Sequence, residues 1–433
     1  MEVTLSVRKE YSFDVCVLGG GPAGFAAAVA AGRLGAKTLL VEKYGLLGGA
    51  MTVGGIPLPG LFHSLGEGGH QVIAGIGWEL MTRLAEKGWA VLPQPPFCGP
   101  HPAKQVPVNG FAAACEMDDL CREAGVAAFF HQQGVEVLMD GQRITAVLLS
   151  GKDGLQAVKA RVFVDCTGDG DIACMAGAPY ELGEPLQPGS LNVVFEGIDP
   201  ERVDQAAADA AFARAIREGR LHREDVWAGG GKSCRSVWSG LGSNLNHVYP
   251  LNGADSESRS RAEPAAHASV RRLLAWMRSE VPGCEQARVA SCSPEAWARE
   301  SRRILGLSYV SAEDYVRGRV PADAVCYSYY PIDVHREDAS PLHNVWLDGV
   351  HVPGIPLGAL IPQNTDNLLT AGRCISGDRE AQSAFRVQAS CMATGQAAGT
   401  AAALAARRNI PIPQLPASAV RESLRRQGAI VPD

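Results

Sequence analysis

The chain of 433 residues, 46% hydrophobic and 20% charged, is long enough for about two or three domains built on large apolar cores. A formal net charge of −6 and a pI near 6.0 provide neither a basic footprint for nucleic acid nor a polybasic anchor for a membrane, so neither partner is expected. The 12 cysteines include no Cys-x-x-Cys pair, which argues against a zinc site, leaves no metal expected, and gives no redox-active cysteine couple.

Residues 1–12 are polar and charged, without the apolar stretch and small-residue cleavage site of a secretory signal, so the cytosol is the expected compartment. Reduced, buried thiols are then expected in place of disulfides. Residues 14–43 read as strand, glycine turn, helix and strand. An apolar run enters Gly19-x-Gly21-Pro22-Ala23-Gly24, an alanine-rich helix follows, and Thr38-Leu-Leu-Val ends in Glu42-Lys43. The first glycine allows the tight turn, the second lets a pyrophosphate approach the backbone, and the third lets helix and strand pack closely. The helix N-terminus then faces the phosphates, and the Glu42 carboxylate suits the hydroxyls of an adenosine ribose. Dinucleotide binding is the expected role of this unit.

Residues 44–55 hold too many glycines for a regular helix and too many apolar side chains for an exposed loop, so a loop lining a flat ligand is expected. Between 57 and 107 prolines break the pattern except for a short helix near 76–87. His63, His70 and His101 fall there without ligand-like spacing. A helix follows over 109–123, with Asn109 as cap and Gly125 as stop. Strands at 126–131, 135–139 and 144–149, joined by an Asp140-Gly141 hairpin, lead to a strand ending at Asp165 and to Cys166-Thr167-Gly168-Asp169-Gly170-Asp171.

The middle, residues 183–295, predicts amphipathic helices over 204–218 and 261–280. Between them a glycine- and aromatic-rich stretch that includes Trp227, Lys232, Trp238 and His247 fits a polar substrate cleft or a strand pair with packed tryptophans. Further on, Asp333 and His335 stand two apart in an expected strand with Tyr327, Tyr329 and Pro331 in the same alternating register, a pattern that would let a carboxylate orient an imidazole. The apolar run 393–406 is shorter than a bilayer span and reads as a buried helix of small residues.

The glycine unit, the small meander and the Thr167-Gly168-Asp-Gly-Asp strand end together resemble the glutathione-reductase type of two-dinucleotide-fold FAD proteins. Arg299-Glu-Ser-Arg302-Arg303, Tyr330-Pro-Ile-Asp333-Val-His335, Thr370-Ala371-Gly372-Arg373-Cys and Glu380-Ala-x-x-Ala-x-Arg386-Val-Gln-x-x-Cys391 are similar to the FAD-dependent oxidoreductase family, distantly akin to fumarate reductase and succinate dehydrogenase flavoproteins. The resemblance implies FAD as cofactor, with Gly19, Gly21, Pro22, Ala23 and Gly24 at the pyrophosphate and Glu42 and Lys43 at the ribose. It places Gly49 and Ala50 along the ribityl chain, Val135 at the adenine, Thr167 and Gly168 over the adenosine half, and Gly372 and Arg373 beside the flavin. The N-terminus of a final helix starting near Ser390 would point at the flavin pyrimidine edge. Relatives often carry histidine at the position of Arg379, which cannot accept a proton near pH 7.

The implied fold is α/β: a Rossmann-like FAD-binding domain with an inserted α+β substrate domain. The expected division is 1–50, 109–180 and 345–433 for the discontinuous FAD-binding domain, and 51–108 with 181–344 for the substrate or cap domain. The function implied is a flavin-dependent dehydrogenase or reductase of a small polar molecule, hydroxylated or carboxylated, with Arg386 orienting the substrate and His335 moving the proton. An electron-transfer flavin subunit of a larger redox complex is the alternative, and a homodimer is left open.

Overall fold

The computed structural model describes residues 6–65, 69–94, 104–226, 233–238, 246–335 and 342–433. β1 (Val7–Leu18) ends in four buried residues and passes through the glycine turn into α1 (Pro22–Arg33), and β2 (Thr38–Val41) returns beside it in parallel. Pro22 occupies the first turn of α1, where a missing N–H breaks no helical bond and its fixed φ already suits the helix. α2 (Ile76–Glu86) and α3 (Gly110–Glu123) follow, the latter capped by the Asn109 side chain, which accepts from the Ala112 N–H. β3 (Ala127–Phe129) joins β2 in parallel, and β4 (Gln133–Asp140), β5 (Arg143–Gly151) and β6 (Gly154–Asp165) form an antiparallel meander. β6 then runs parallel to β1, with Val15 opposite Val162 and Leu18 opposite Asp165.

After α4 (Asp171–Met175) the chain builds small antiparallel pairs. β7 (Tyr180–Glu181) pairs with β12 (Arg303–Ile304), β8 (Gly189–Ser190) with β10 (His247–Val248), and β9 (Val193–Glu196) with β11 (Arg288–Cys292). α5 (Gln205–Arg217) and α6 (Ser256–Glu280) flank them, each capped by an aspartate, Asp204 and Asp255. α6 begins five residues before the sequence pattern suggested, because the Asp255 cap and not the apolar stripe sets its start. α7 (Ala312–Val316) follows, then β13 (Ala324–Tyr327) pairs with β16 (Gly354–Pro356) and β14 (Ile332–His335) with β15 (Leu342–Val345). The alternation expected from Tyr327 to His335 is therefore broken between β13 and β14, and Tyr329 turns its hydroxyl to the Leu65 N–H.

β17 (Leu368–Thr370) lies parallel to the end of β6, completing a seven-stranded sheet of order β3-β2-β1-β6-β5-β4 with β17 alongside β6. α8 (Arg379–Phe385), α9 (Gln388–Arg408) and α10 (Ala417–Arg426) close the chain. α9 lies directly on α1. A Cβ at Gly395 or Gly399 would overlap the main chain of Ala23 or Ala27, so the small-residue run is what allows the two helices to touch backbone to backbone.

One face of the sheet, with Val15, Val17 and Leu40, packs on α1 and α9, while Cys16, Leu18, Leu39 and Val41 face the meander on the other side. Residues 191–296 carry a separate core around Phe212, Trp276 and Met277. Residues 51–108 do not join it. Leu61, Phe62, Val72, Ile73 and Ile76 lie in the core shared with α1 and α9, as do Val325, Ile332 and Val334 of β13 and β14. Among the described residues, no helix is long and apolar enough to cross a membrane.

Candidate functional site

A cleft opens along the C-terminal ends of β1, β2, β6 and β17, where parallel strands leave their loops free to meet a ligand. Gly19, Gly21, Pro22 and Ala23 line its floor. The glycines divide the labour. A Cβ at Gly24 would overlap the carbonyl of Gly19, and one at Gly19 would strike Cys166, whereas a Cβ at Gly21 would project into open space. Gly24 thus shapes the turn from outside the cleft, and Gly21 leaves room over the α1 N-terminus, which no side chain caps.

Glu42, Lys43, Gly49, Ala50, Thr167, Gly168, Gly372, Arg373 and Arg386 also line the cleft, brought together from five segments of the chain. Glu42 accepts from the Gly20 N–H at 2.6 Å and the Tyr44 N–H at 2.9 Å, and burial raises its pKa. Lys43 pairs with Glu295 at 3.1 Å, joining the nucleotide unit to the segment 295–298 that roofs this end. Arg373 is paired with Asp169 at 2.5 Å.

Besides Gly24, two expected cofactor residues stand outside the cleft. Val135 is outside the cleft and 37% exposed, because the β4–β5 register shifts between Gly134 and Glu136, and Gln132, Gln133 and Gly134 face the cleft in its place. Ser390 is buried inside α9 with its hydroxyl 2.8 Å from that of Ser328. α9 begins earlier, at Gln388, with an N-terminus that no side chain caps, and Gln388 and Cys391 are its residues in the cleft.

Beside the cleft lies a second constellation. Arg386, half-buried, donates to the carbonyls of Ser383, Arg299 and Asp333 and to Gln187 Oε1, all at 3.2–3.3 Å. Every one of these acceptors is neutral, and no carboxylate among the described residues is within ion-pair distance of it. Burial lowers the pKa of Arg386 and, with Arg386 adjacent, brings that of Arg299 down to about 9. His335 Nε2 lies 3.4 Å from Asp333 Oδ2, and its other nitrogen, Nδ1, lies 3.0 Å from His247 Nε2. Burial, with Arg299 adding to it, lowers His335 to about 4, outweighing the opposite pull of Asp333. Although burial opposes ionisation, the hydrogen bond from His335 and the nearby arginines hold Asp333 down to about 2. Arg379 grips Glu300 with both carboxylate oxygens at 3.1 Å, Glu300 holds Gln187, and Gln187 holds the His335 N–H. Arg379 is thus a strut for the site.

Of these, sequence reading passed over Gln187, Glu300 and Gln388, and named His247 only within an ambiguous stretch. Residues 227–232 and 239–245 of that stretch, with His101, lie outside the described residues. Glu300 carried one signal, a lone acid among arginines in Arg299-Glu-Ser-Arg302-Arg303.

The cleft fits FAD on its own geometry. Gln132 Oε1, Trp297 Nε1 and Gln388 Oε1 are buried without a protein partner and belong to residues lining the cleft, and the glycine floor leaves room where a pyrophosphate would meet unpaired amides.

A family model described as FAD dependent oxidoreductase matches residues 14–424. Dihydrolipoyl dehydrogenase of Trypanosoma brucei brucei is 53% identical over 53 residues, 12% of this chain and 11% of that protein. Dihydrolipoyl dehydrogenase of Pseudomonas aeruginosa is 29% identical over 191 residues, 41% of this chain and 36% of that one. The matched segments therefore span only these minor shares of the relatives' lengths. A geranylgeranyl bacteriochlorophyll reductase-like protein from Thermoplasma acidophilum aligns with a TM-score of 0.44 at 13% identity, over 97% of this chain and 83% of that one. Because the family match runs from the glycine turn to the last helix, the chain belongs to the FAD-dependent oxidoreductases, and FAD is its cofactor.

Proposed function

We propose that the protein oxidises or reduces a small polar molecule bearing a carboxylate or hydroxyl by hydride transfer, with Arg386 holding the molecule and the Asp333–His335 pair exchanging the proton. The observation that carries this reading is the Arg386 guanidinium, half-buried at the cleft with only neutral acceptors. Four of its N–H groups are engaged, and a planar cation so placed gains most from an anionic or strongly accepting ligand. FAD, when bound, supplies the two-electron chemistry as hydride acceptor or donor at its N5 atom.

Gly21 and the α1 N-terminus would hold the pyrophosphate, Glu42 would accept from the ribose, and the α9 N-terminus with Gln388 would lie towards the flavin. Arg386 orients the substrate. Asp333 is 22% exposed at its side chain and His335 only 6%, so the carboxylate meets the substrate proton and the ring stands behind it as a partner. Ionised Asp333 accepts from His335 Nε2–H, which fixes the neutral ring with its Nδ1 lone pair pointing away from the substrate.

The test is anaerobic reduction of the bound flavin, followed by a screen of hydroxy acids, carboxylates and polyols against both the oxidised and the reduced forms. Arg386→Ala and His335→Ala should keep FAD yet slow substrate-dependent flavin reduction about a hundredfold or more. Parental rates in both variants would overturn the assignment.

A further inference from the structure

His335 is almost fully buried, so a proton that it exchanges with Asp333 needs a route to water. Such a route lies behind it. His247, on β10, places Nε2 3.0 Å from His335 Nδ1, and its own Nδ1 is 3.4 Å from the hydroxyl of Ser190 on the paired strand β8. Ser190 Oγ in turn accepts from Arg299 Nη2 at 3.1 Å, which directs the Ser190 hydrogen towards His247. One set of tautomers satisfies the whole chain: Ser190 O–H to His247 Nδ1, His247 Nε2–H to His335 Nδ1, His335 Nε2–H to the Asp333 carboxylate. The reverse set would press a bare ring nitrogen against an ionised carboxylate.

The same His247 forms part of the wall of a second cavity of about 340 Å³, distinct from the cofactor cleft and lined also by His222, Arg223, Tyr249, Ser269 and Arg272. His222 and Arg223 at its edge are exposed, so the cavity opens to water. A buried imidazole pair with one ring on the substrate side and the other on a hydrated cavity has the form of a proton path.

We propose that His247 is a positioning and relaying residue through which His335 exchanges protons with the second cavity; this rests on the reading that His335 and Asp333 handle the substrate proton. For each proton that Asp333 passes to substrate, His335 Nε2 gives one to Asp333, His247 Nε2 gives one to His335 Nδ1, and the cavity restores one to His247. No net charge remains on either ring, but both are left in the other tautomer, and the next proton in the same direction passes only after the rings have turned over or an opposite transfer has reset them. The opposite transfer uses the same links with both rings in the other tautomer.

The experiment uses FAD-loaded protein labelled with 15N-histidine and follows solvent exchange of the His335 Nε2 proton by nuclear magnetic resonance. His247→Gln keeps a donor for His335 and an acceptor for Ser190 but cannot pass a proton, so exchange then waits on local opening and slows about tenfold or more. His247→Ala slows it likewise, and free imidazole admitted from the cavity restores the rate. Unchanged exchange in His247→Gln, or no response to imidazole in His247→Ala, overturns the relay. In the parent protein the 15N shifts should give both rings neutral with hydrogen on Nε2 at pH 7; a His335 ring protonated on Nδ1 overturns it without any variant. These readouts need no substrate, so an Arg386→Ala or Asp333→Asn variant that keeps parental flavin reduction would defeat the proposed function and leave the exchange result standing.

Discussion

Arg386 Nη1 donates to the main-chain carbonyl of Arg299 at 3.2 Å, which seats two half-buried guanidinium groups side by side next to the cofactor cleft. Their mutual repulsion favours any anion that reaches them. Simple carboxylates such as acetate, oxalate or succinate should therefore perturb the visible spectrum of the bound flavin. Arg386→Ala should weaken that binding by about 1.5–3 kcal/mol, the range for hydrogen bonds to charged groups. Equal affinity in parent and variant, by spectral titration, contradicts the pairing of Arg386 with an anion.

The glycine turn makes a prediction in which stability and binding separate. Gly21→Ala adds a methyl to open cleft and should leave the apoprotein melting temperature near the parent while FAD retention falls. Gly24→Ala forces a methyl into the Gly19 carbonyl and should destabilise the apoprotein by about 1–3 kcal/mol, as overpacking does. Calorimetry with and without FAD reads both effects, and matching losses in the two apoproteins would refute the division.

Glu42 already accepts two main-chain N–H groups, yet a carboxylate has lone pairs left for ribose hydroxyls. Glu42→Arg should cost about 1–3 kcal/mol of FAD affinity. Reconstitution of apoprotein followed by flavin fluorescence measures this directly; an unchanged dissociation constant removes Glu42 from the ribose.

The His335 pKa near 4, set by burial and then by Arg299, lies below its ordinary 6.5. A base depressed in this way contributes its stability fully above pH 6.5 and loses it as pH falls towards 4, because the unfolded chain takes the proton first. Asp333, held at about 2 against an ordinary 3.8, contributes above 3.8 and loses this only as pH falls through 2. Between pH 6.5 and 4 the stability of the parent should decline by roughly 3 kcal/mol more than that of His335→Gln. Urea titrations across this range decide the matter, and superimposable pH profiles would remove His335 from the buried neutral state.

Cys166 and Cys391 line the cleft, but burial pushes Cys391 up to about 12 and Cys166 well above its ordinary 9.0. Protonated thiols are poor nucleophiles. Serine at either position should keep substrate-dependent flavin reduction within about tenfold, roughly 1.4 kcal/mol of barrier. A charge-transfer absorbance band on partial reduction that disappears in one variant would assign that cysteine a redox role.

The cofactor side was legible because its signal is local. A strand, a glycine turn, a helix and an acid within 30 residues dictate one another through backbone sterics, and α1, β2 and the meander follow from the same short-range rules. Val135 shows the limit of that reading. An irregular register between Gly134 and Glu136 turns one residue outwards, and period-two alternation cannot reveal a bulge.

The sequence by itself determined the α/β class, the glycine floor of the cleft and the family, since contiguous residues carry each of them. Tertiary structure alone decided that Gln187, His247, Arg299, Asp333, His335 and Arg386 meet. Those groups come from five separate segments spread over 200 residues, and their hydrogen bonds span separations of up to 199 positions. No periodicity or spacing rule registers contacts at that range. The physical reason is that burial, not sequence neighbourhood, selects the partners: a charge or ring nitrogen removed from water must find an acceptor or donor wherever the packed chain supplies one.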